Sequence, residues 1–488
     1  MPEALARTYA RFVTGLDYSQ LPAPVVDKLK ASLLHATFVS LIGAQTSHGK
    51  AAIELVKEEE ASPNGATVLA DGVRATRSGA AFANSKLMHA TNQTDSYRML
   101  IHPGPCIIPA ALATAELSGD SGAELLTAMA AGYEVESRIA GDFIPTTQAR
   151  GFRCSPVYGT LGAAVATAKL LGLDEDQTVT ALALACTFAG GTTEGPRVSG
   201  REMLYHEPNA TRSGIMAALL ARENLRGSET CLEGDAGFYN AFVGNNRGEL
   251  SYTFSVNPPP DPDGEWGGPG TTDLAQTVEG LDDRWELLHV TPKIYPTAGY
   301  NCPVIELTAR MRAAHDIAPE DVERITVEMN WLETTYPSPA FPNTDRRMPG
   351  VGSTHYFTAY TWTHGSYPPL RQRLDPGPLA QPSPLGRGQD EGDRQVMSLQ
   401  ERVEVTGQRT RGSFAPRITV RTRSGDEFSD EFHGDELKWD FATETARLSP
   451  LFPQMDWPAA KLDGLVAAVA GMENAPDVSG LVACCVPG

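Results

Sequence analysis

The sequence predicts a mainly α protein, with a large all-helical part and a smaller α+β part that carries an antiparallel sheet. Three observations predict it. Apolar residues recur at helical spacing in successive segments up to about residue 250. Beyond about residue 287 the pattern becomes alternation over short runs, the period of half-buried strands. Between the two, "NPPPDPDGEWGGPGTTD" at 257–273 has the composition of a loop or linker. The boundaries that follow are 1–286 for the helical part, completed by C-terminal helices at 437–488, and 287–436 for the α+β part. A chain of 488 residues has the length of two domains or more.

In chain order, "PAPVVDKLKASLLHATFVSLIGA" starts a helix after Pro22 and keeps helical apolar spacing through Leu41. "PAALATAELSG" is a second helix ending at Gly119, and "SGAELLTAMAAGYEVESRIAG" opens with Ser121 and Glu124 in capping-box spacing. "YGTLGAAVATAKLLGL" has a face of small residues suited to close helix packing. "DEDQTVTALALACTFAGG" begins on a capping Asp174 with Gln177 three residues on, and "ATRSGIMAALLARENL" completes the set. Several of these helices are apolar nearly all round, so they belong at the centre of a bundle or dimer. Further on, "NCPVIELTARMRAAHDI" is a helix. "ERITVEMN", "ERVEVTGQ" and "RITVRTRSGDEFSDEF" alternate as strands, the last turning at Ser424-Gly425-Asp426. A Pro/Gly-rich insertion occupies about 366–395. "WPAAKLDGLVAAVAG" returns to helix and is expected to pack back on the first part.

Composition narrows the function. A hydrophobic fraction of 41% and a charged fraction of 20% are ordinary for a globular protein. The net charge of −20 disfavours nucleic acid and anionic membranes as partners. An anionic substrate must then be gathered by a local basic pocket. The seven cysteines are scattered, with no CxxC pair and no metal-ligand spacing, so neither a disulfide framework nor a zinc site is implied. The stretch "MPEALARTYARFVTGLDYSQLP" carries charge throughout and reads as neither a signal peptide nor a membrane span, which makes a cytoplasmic location the default expectation.

There is no P-loop, no Rossmann fingerprint after a strand, no HExxH and no GxSxG elbow. What remains is polar residues in four loops, each opening a helix. "NQTDSYRMLIHPGP" carries Asn92, Asp95, Ser96, Arg98 and His102. There Pro103 biases His102 toward an extended backbone, and Gly104 would allow close approach to a ligand. The same loop reads equally well as a helix cap with solvated charges. "ARGFRCSPVYGT" aims Arg150 and Arg153 at a helix N-terminus, a carboxylate-binding corner or an exposed loop. "REMLYHEPNATRSG" supplies Arg201, Tyr205, His206 and Arg212, and "TPKIYPTAGYNCP" supplies Lys293, Tyr295, Tyr300 and Cys302. Four such loops suggest a convergent anion pocket. The chemistry open to it without a metal is proton transfer: a base at carbon alpha to a carboxylate, cations on the aci-carboxylate, and an acid for the leaving group.

The order of "HPGPCIIPAALATAELSGDSGAELLTAMAAGYEVESRI", "GFRCSPVYGTLGAAVATAKLLGLDEDQ", "LEGDAGFYNAF" and "KIYPTAGYNCPVIEL" resembles the MmgE/PrpD family, from about residue 20 to 310 and more weakly to the end. The resemblance implies an all-helical domain, an α+β lid domain, an active site between them and a homodimer. It also implies cofactor-independent lyase or isomerase chemistry on small di- or tricarboxylates. His102 matches the family's histidine of HPS/HPG, and Lys293 and Tyr295 match its K-x-YP motif. Asn92-Gln93-Thr94-Asp95-Ser96 stands where the family reads Asp-x-Asp-Asp-Thr. Arg153 replaces the histidine of a GFH motif, which keeps a cation but removes a group that titrates near neutrality. Met203 stands where the family has a lysine.

These departures favour a less charged or more apolar substrate, of the kind met in natural-product biosynthesis. The expected function is a cofactor-free, metal-free dehydratase of a small hydroxy-di/tricarboxylate or a carboxylate-bearing biosynthetic intermediate. The alternatives are an epimerase (isomerase) or decarboxylase of a related carboxylate, or a non-catalytic relative. His102 is expected as principal acid or base, Lys293 or Tyr295 as the second proton carrier, and Asp95 as the group that orients His102. Asn92, Ser96, Arg98, Arg153, Arg201, His206 and Tyr300 are expected to bind substrate.

Overall fold

Three helices apolar on nearly every side form the centre of the molecule. In the computed structural model, which describes residues 3–198, 200–223, 225–254, 267–342, 353–368 and 391–487, the chain begins with α1 (Leu5–Gly15), α2 (Ala23–Gly43) and α3 (Ser47–Glu59). A short antiparallel ladder of β1 (Ala61–Thr67) with β2 (Arg74–Ala75) follows, then α4 (Arg77–His89). After a loop containing β3 (Asp95–Ser96) come the central helices α5 (Gly104–Ser118), α6 (Gly122–Ala140) and, past the short α7 (Ile144–Ala149), α8 (Cys154–Leu170). Helices α9 (Glu175–Phe188) and α11 (His206–Ala221) pack around them, with the short α10 (Glu194–Val198) between the two in the chain. Among the described residues no helix is long and apolar enough to cross a membrane.

The expected caps are present. Ser121 accepts from the Glu124 amide and Asp174 from the Gln177 amide, each with the reciprocal bond of a capping box. The small-residue face of α8 lets its neighbours approach closely. A Cβ on Gly159 would lie 2.5 Å from Cys106 Sγ of α5, and one on Gly132 of α6 would lie 2.9 Å from the Gly162 carbonyl. A Cβ on Gly214 of α11 would lie 2.6 Å from Ala163 Cβ. The second helix starts at Gly104, earlier than its apolar pattern suggests, because Pro103 and Pro105 fit a first turn that needs no amide donors.

The later region carries α13 (Asn301–His315), numbered after the one-turn α12 (Phe238–Phe242), and the strands β4 (Glu249–Leu250), β5 (Gly270–Thr271), β6 (Thr291–Pro292) and β7 (Val322–Asn330). Strands β8 (Val403–Gln408), β9 (Arg417–Thr422) and β10 (Glu427–Glu431) complete a four-stranded sheet of order β10-β9-β7-β8. Its turn at Ser424-Gly425-Asp426 is as expected, with Gly425 at φ 96°. The sheet is antiparallel except for one pair: β7 and β8 run parallel from Ile325↔Val403 to Asn330↔Gln408. A parallel pair needs a long crossover, and the chain between them includes the helix Thr354–His364. Most of the expected Pro/Gly-rich insertion at 366–395 and of the linker at 257–273 lies outside the described residues.

The C-terminal helix Ala459–Ala470 does pack on the helical region. Lys30 of α2 donates to the Ala470 carbonyl at 2.8 Å, and the Gly122 amide at the start of α6 donates to Ala475. A second stitch positions the site. β3 pairs antiparallel with β6, matching Asp95 to Pro292 and Ser96 to Thr291, and the Lys293 amide donates to the Thr94 carbonyl. Gln93 and Asn92 extend the seam through side-chain bonds to the carbonyls of Ile294 and Thr297.

Candidate active site

This seam lies beside a cavity of about 60 Å³ lined by residues of both regions. Asn92, His102, Arg153, Lys293 and Tyr300 face it together, with Met99, Leu100, Gln148, Pro196, Met203 and Tyr336 among the rest of its wall. A larger, more open groove of about 600 Å³ lies between α9 and residues 225–241, but among the described residues its charged side chains are Arg226 and Asp235 alone. We therefore place the candidate site at the smaller cavity, where the titratable groups converge.

The loop between α4 and α5 reaches the cavity through unusual backbone. Asn92 sits at φ 61°, a left-handed conformation that Asn tolerates better than most residues. Arg98 and Met99, at φ 42° and 70°, reverse the chain, and Tyr97 and Ile101 close the reversal by mutual backbone hydrogen bonds. The turn sends Arg98 outward to an ion pair with Asp142 at 2.6 Å while Met99 and Leu100 face the cavity.

His102 follows at the entrance of α5. Its Nδ1 donates to the Asp95 main-chain carbonyl at 2.8 Å, and its amide donates to Ser155 Oγ. A carbonyl can only accept, so the proton is on Nδ1 and Nε2 keeps its lone pair. Burial, with the charges of Lys293 and Arg153 adding, holds the imidazole well below its ordinary value, so it is neutral near pH 7. Asp95 does orient His102, but through its backbone. Its carboxylate instead caps α5, accepting from the Gly104 amide at 2.9 and 3.1 Å and from the Tyr133 hydroxyl at 2.7 Å.

This arrangement explains the glycine of the HPGP stretch. A Cβ on Gly104 would lie 2.7 Å from Asp95 Oδ2, so the close approach that Gly104 permits is by the capping carboxylate, not by a ligand. Gly104→Ala is expected to cost about 1–3 kcal/mol of stability by overpacking, read by chemical denaturation. A midpoint unchanged from wild type would show that the cap yields freely.

Two cations face His102. Burial lowers Lys293 to about 8, with Arg153 adding to the shift, and its Nζ donates to Asn92 Oδ1 at 3.2 Å. Arg153 is the N-cap residue of α8 and forms a buried ion pair with Glu207 in the first turn of α11. The other oxygen of Glu207 lies 3.4 Å from His89 Nε2, and the His89 and His102 rings are 5.8 Å apart. His89 is held well below its ordinary value by burial and by Arg153. Lys86, one turn earlier on α4, is lowered to about 8 by burial and packs 5.2 Å from the Tyr205 ring centre.

Other expected residues lie elsewhere. Ser96 is buried and donates to the Met99 carbonyl. The Tyr295 hydroxyl donates to Glu306 at 2.7 Å, and its ring stacks on Tyr367. Burial and Glu306 push that phenol up, so it is poorly suited to carry a proton. Arg98 lines a separate cleft with Asp142 and Glu286. Arg201 is exposed and contacts His48, while Arg150 reaches the Ala241 carbonyl. His206 is the first residue of α11, lowered by burial and by Arg153, and is not in the cavity wall. Sequence reasoning did not single out Gln148, Tyr336, His89 or Glu207. Of these only Glu207 carried a signal, an acid beside His206 at a helix start.

A model of the MmgE/PrpD N-terminal domain matches residues 7–251. The cis-aconitate decarboxylase-like protein oryM of Aspergillus oryzae is 30% identical over 248 residues, 48% of this chain and 51% of that protein. The cis-aconitate decarboxylase of Homo sapiens is 29% identical over 251 residues, 50% of this chain and 51% of the relative. That of Aspergillus terreus is 25% identical over 296 residues, 59% and 56% of the two chains. The chain thus spans about half the length of the curated relatives it matches.

Proposed function

The chain belongs to the MmgE/PrpD family, and from that premise we propose that it is a lyase of small carboxylates, acting as a dehydratase on a β-hydroxy acid. The observation that carries the reading is the pairing of a neutral His102, its lone pair on Nε2, with the cations Arg153 and Lys293 across one cavity. In this mechanism His102 takes the proton from carbon alpha to the carboxylate, and the electron pair moves into the carboxylate as an aci-form held by Arg153. That pair returns to form the alkene as the β carbon–oxygen bond breaks. The Lys293 ammonium protonates the departing hydroxide, releasing water. A proton passing from His102 back to Lys293 through solvent restores the site.

Decarboxylation is the second reading, favoured by the names of the curated relatives. It needs an acid that protonates carbon as carbon dioxide leaves, a role the Lys293 ammonium could fill. The two separate in one assay that offers β-hydroxy acids and unsaturated di- and tricarboxylates. A new conjugated alkene with water loss supports the dehydratase, and carbon dioxide release without it supports the decarboxylase. Exchange of deuterium from solvent with neither product would overturn both in favour of an epimerase.

A further inference from the structure

Cys186 and Cys231 are distant in the sequence but share the open groove of about 600 Å³, which the proposed chemistry does not use. Cys186 lies in the last turn of α9, and Cys231 in the loop that leads to α12. That loop is held against α9. The Gly227 amide donates to Thr180 Oγ1 at 3.0 Å, and a Cβ on Gly227 would lie 2.9 Å from Ala183 Cβ, one turn before Cys186. Across the groove the Cys186 and Cys231 thiols share a hydrogen bond, and neither is fully buried. The facing Cys231 sulfur and partial burial push the Cys186 thiol up, so it stays protonated and donates to Cys231. A thiol that accepts a hydrogen bond releases its own proton more readily, which makes Cys231 the attacking sulfur.

Both cysteines are tied to the backbone that presents Arg153. After α9 ends at Phe188, Thr192 bridges Phe152 and the Gly191 carbonyl accepts from the Arg153 amide at 3.0 Å. On the other side, the Cys231 carbonyl accepts from the Phe238 amide at 2.8 Å. Phe242, at the end of the same short helix, packs edge-on against Phe152 with ring centres 5.0 Å apart.

From this placement we propose that Cys186 and Cys231 form a reversible disulfide, a redox-sensitive clamp that stiffens the segment carrying Arg153. The oxidant is a low-molecular-weight disulfide. The Cys231 thiolate attacks one of its sulfurs, which forms a mixed disulfide and releases one thiolate. The Cys186 thiol then loses its proton to solvent and attacks the Cys231 sulfur, expelling the second thiolate. The two protein thiols give up two protons and two electrons, and the small disulfide becomes two thiols. The new bond ties α9 to the loop, so the two supports of Phe152-Arg153 open less often.

The consequence for substrate rests on the reading of the cavity as a carboxylate site, but the disulfide and its effect on the Arg153 amide do not. The whole reduced chain is incubated with oxidised glutathione and peptide-mapped by mass spectrometry, and amide hydrogen exchange is followed in the peptide containing Phe152 and Arg153. The expected result is a linked Cys186–Cys231 peptide pair that dithiothreitol reverses, with exchange of the Arg153 amide slowed about threefold or more. Cys186→Ser should instead retain one glutathione on Cys231, because the resolving thiol is missing, and should exchange as reduced wild type does. Absence of the linked peptide in wild type, or a linked peptide with exchange unchanged, would overturn the proposal.

Discussion

His102→Gln is expected to lower kcat by about 10²–10⁴-fold on any carboxylate the protein turns over. The reason is geometric before it is electrostatic. The Asp95 carbonyl fixes the proton on Nδ1, so Nε2 is the basic nitrogen, and the low proton affinity of the ring keeps that nitrogen unprotonated at neutral pH. A glutamine amide can donate where Nδ1 did, but it offers no group able to accept a proton from carbon. The two cations that depress His102 also stabilise the carbanion it would create, so removing the base leaves the binding groups intact. Substrate binding should change little, which separates loss of chemistry from loss of the site. A thermal melt confirms that the variant is folded. A folded variant with kcat within about threefold of wild type would remove His102 from the mechanism.

What sequence could and could not reveal divides along the range of the interactions. The caps at Ser121 and Asp174 and the turn at Gly425 were legible because each is settled by residues three or four positions apart. The convergence of Asn92, His102, Arg153, Lys293 and Tyr300 was also legible, since each lies in a loop that opens a helix. Side-chain direction was not. Arg98 and His102 share one short loop, yet the left-handed backbone at Arg98 and Met99 turns the guanidinium out to Asp142. Tyr295 follows Lys293 by two residues, yet its hydroxyl pairs with Glu306 of α13 and its ring stacks on Tyr367. Glu207 was hidden for another reason: its meaning depends on Arg153, a partner on a different helix. The parallel β7–β8 pair was equally invisible, because alternation is the same for a parallel and an antiparallel strand.

The alkaline limb of activity should follow Lys293. Its ammonium is the proposed acid, so turnover needs it protonated, and burial has brought it from an ordinary 10.5 to about 8. Activity is therefore expected to hold through neutral pH and to fall as pH rises through about 8, with His102 setting an acidic limb below the usual histidine range. Stability moves the other way. Between about 8 and 10.5 the unfolded chain binds more protons at this lysine than the folded one, so the contribution of Lys293 to stability grows with pH while activity is lost. Asn92→Asp tests the assignment, because Asn92 Oδ1 already accepts from Lys293 Nζ at 3.2 Å. A carboxylate there would favour the ammonium, and the alkaline limb should move up by about one pH unit or more. Lys293→Met should lose that limb altogether, with kcat lower by about 10²-fold or more. A pH–rate profile whose limb near 8 survives in Lys293→Met would assign it to another group, and the leaving-group proton would then have to come from elsewhere in the cavity.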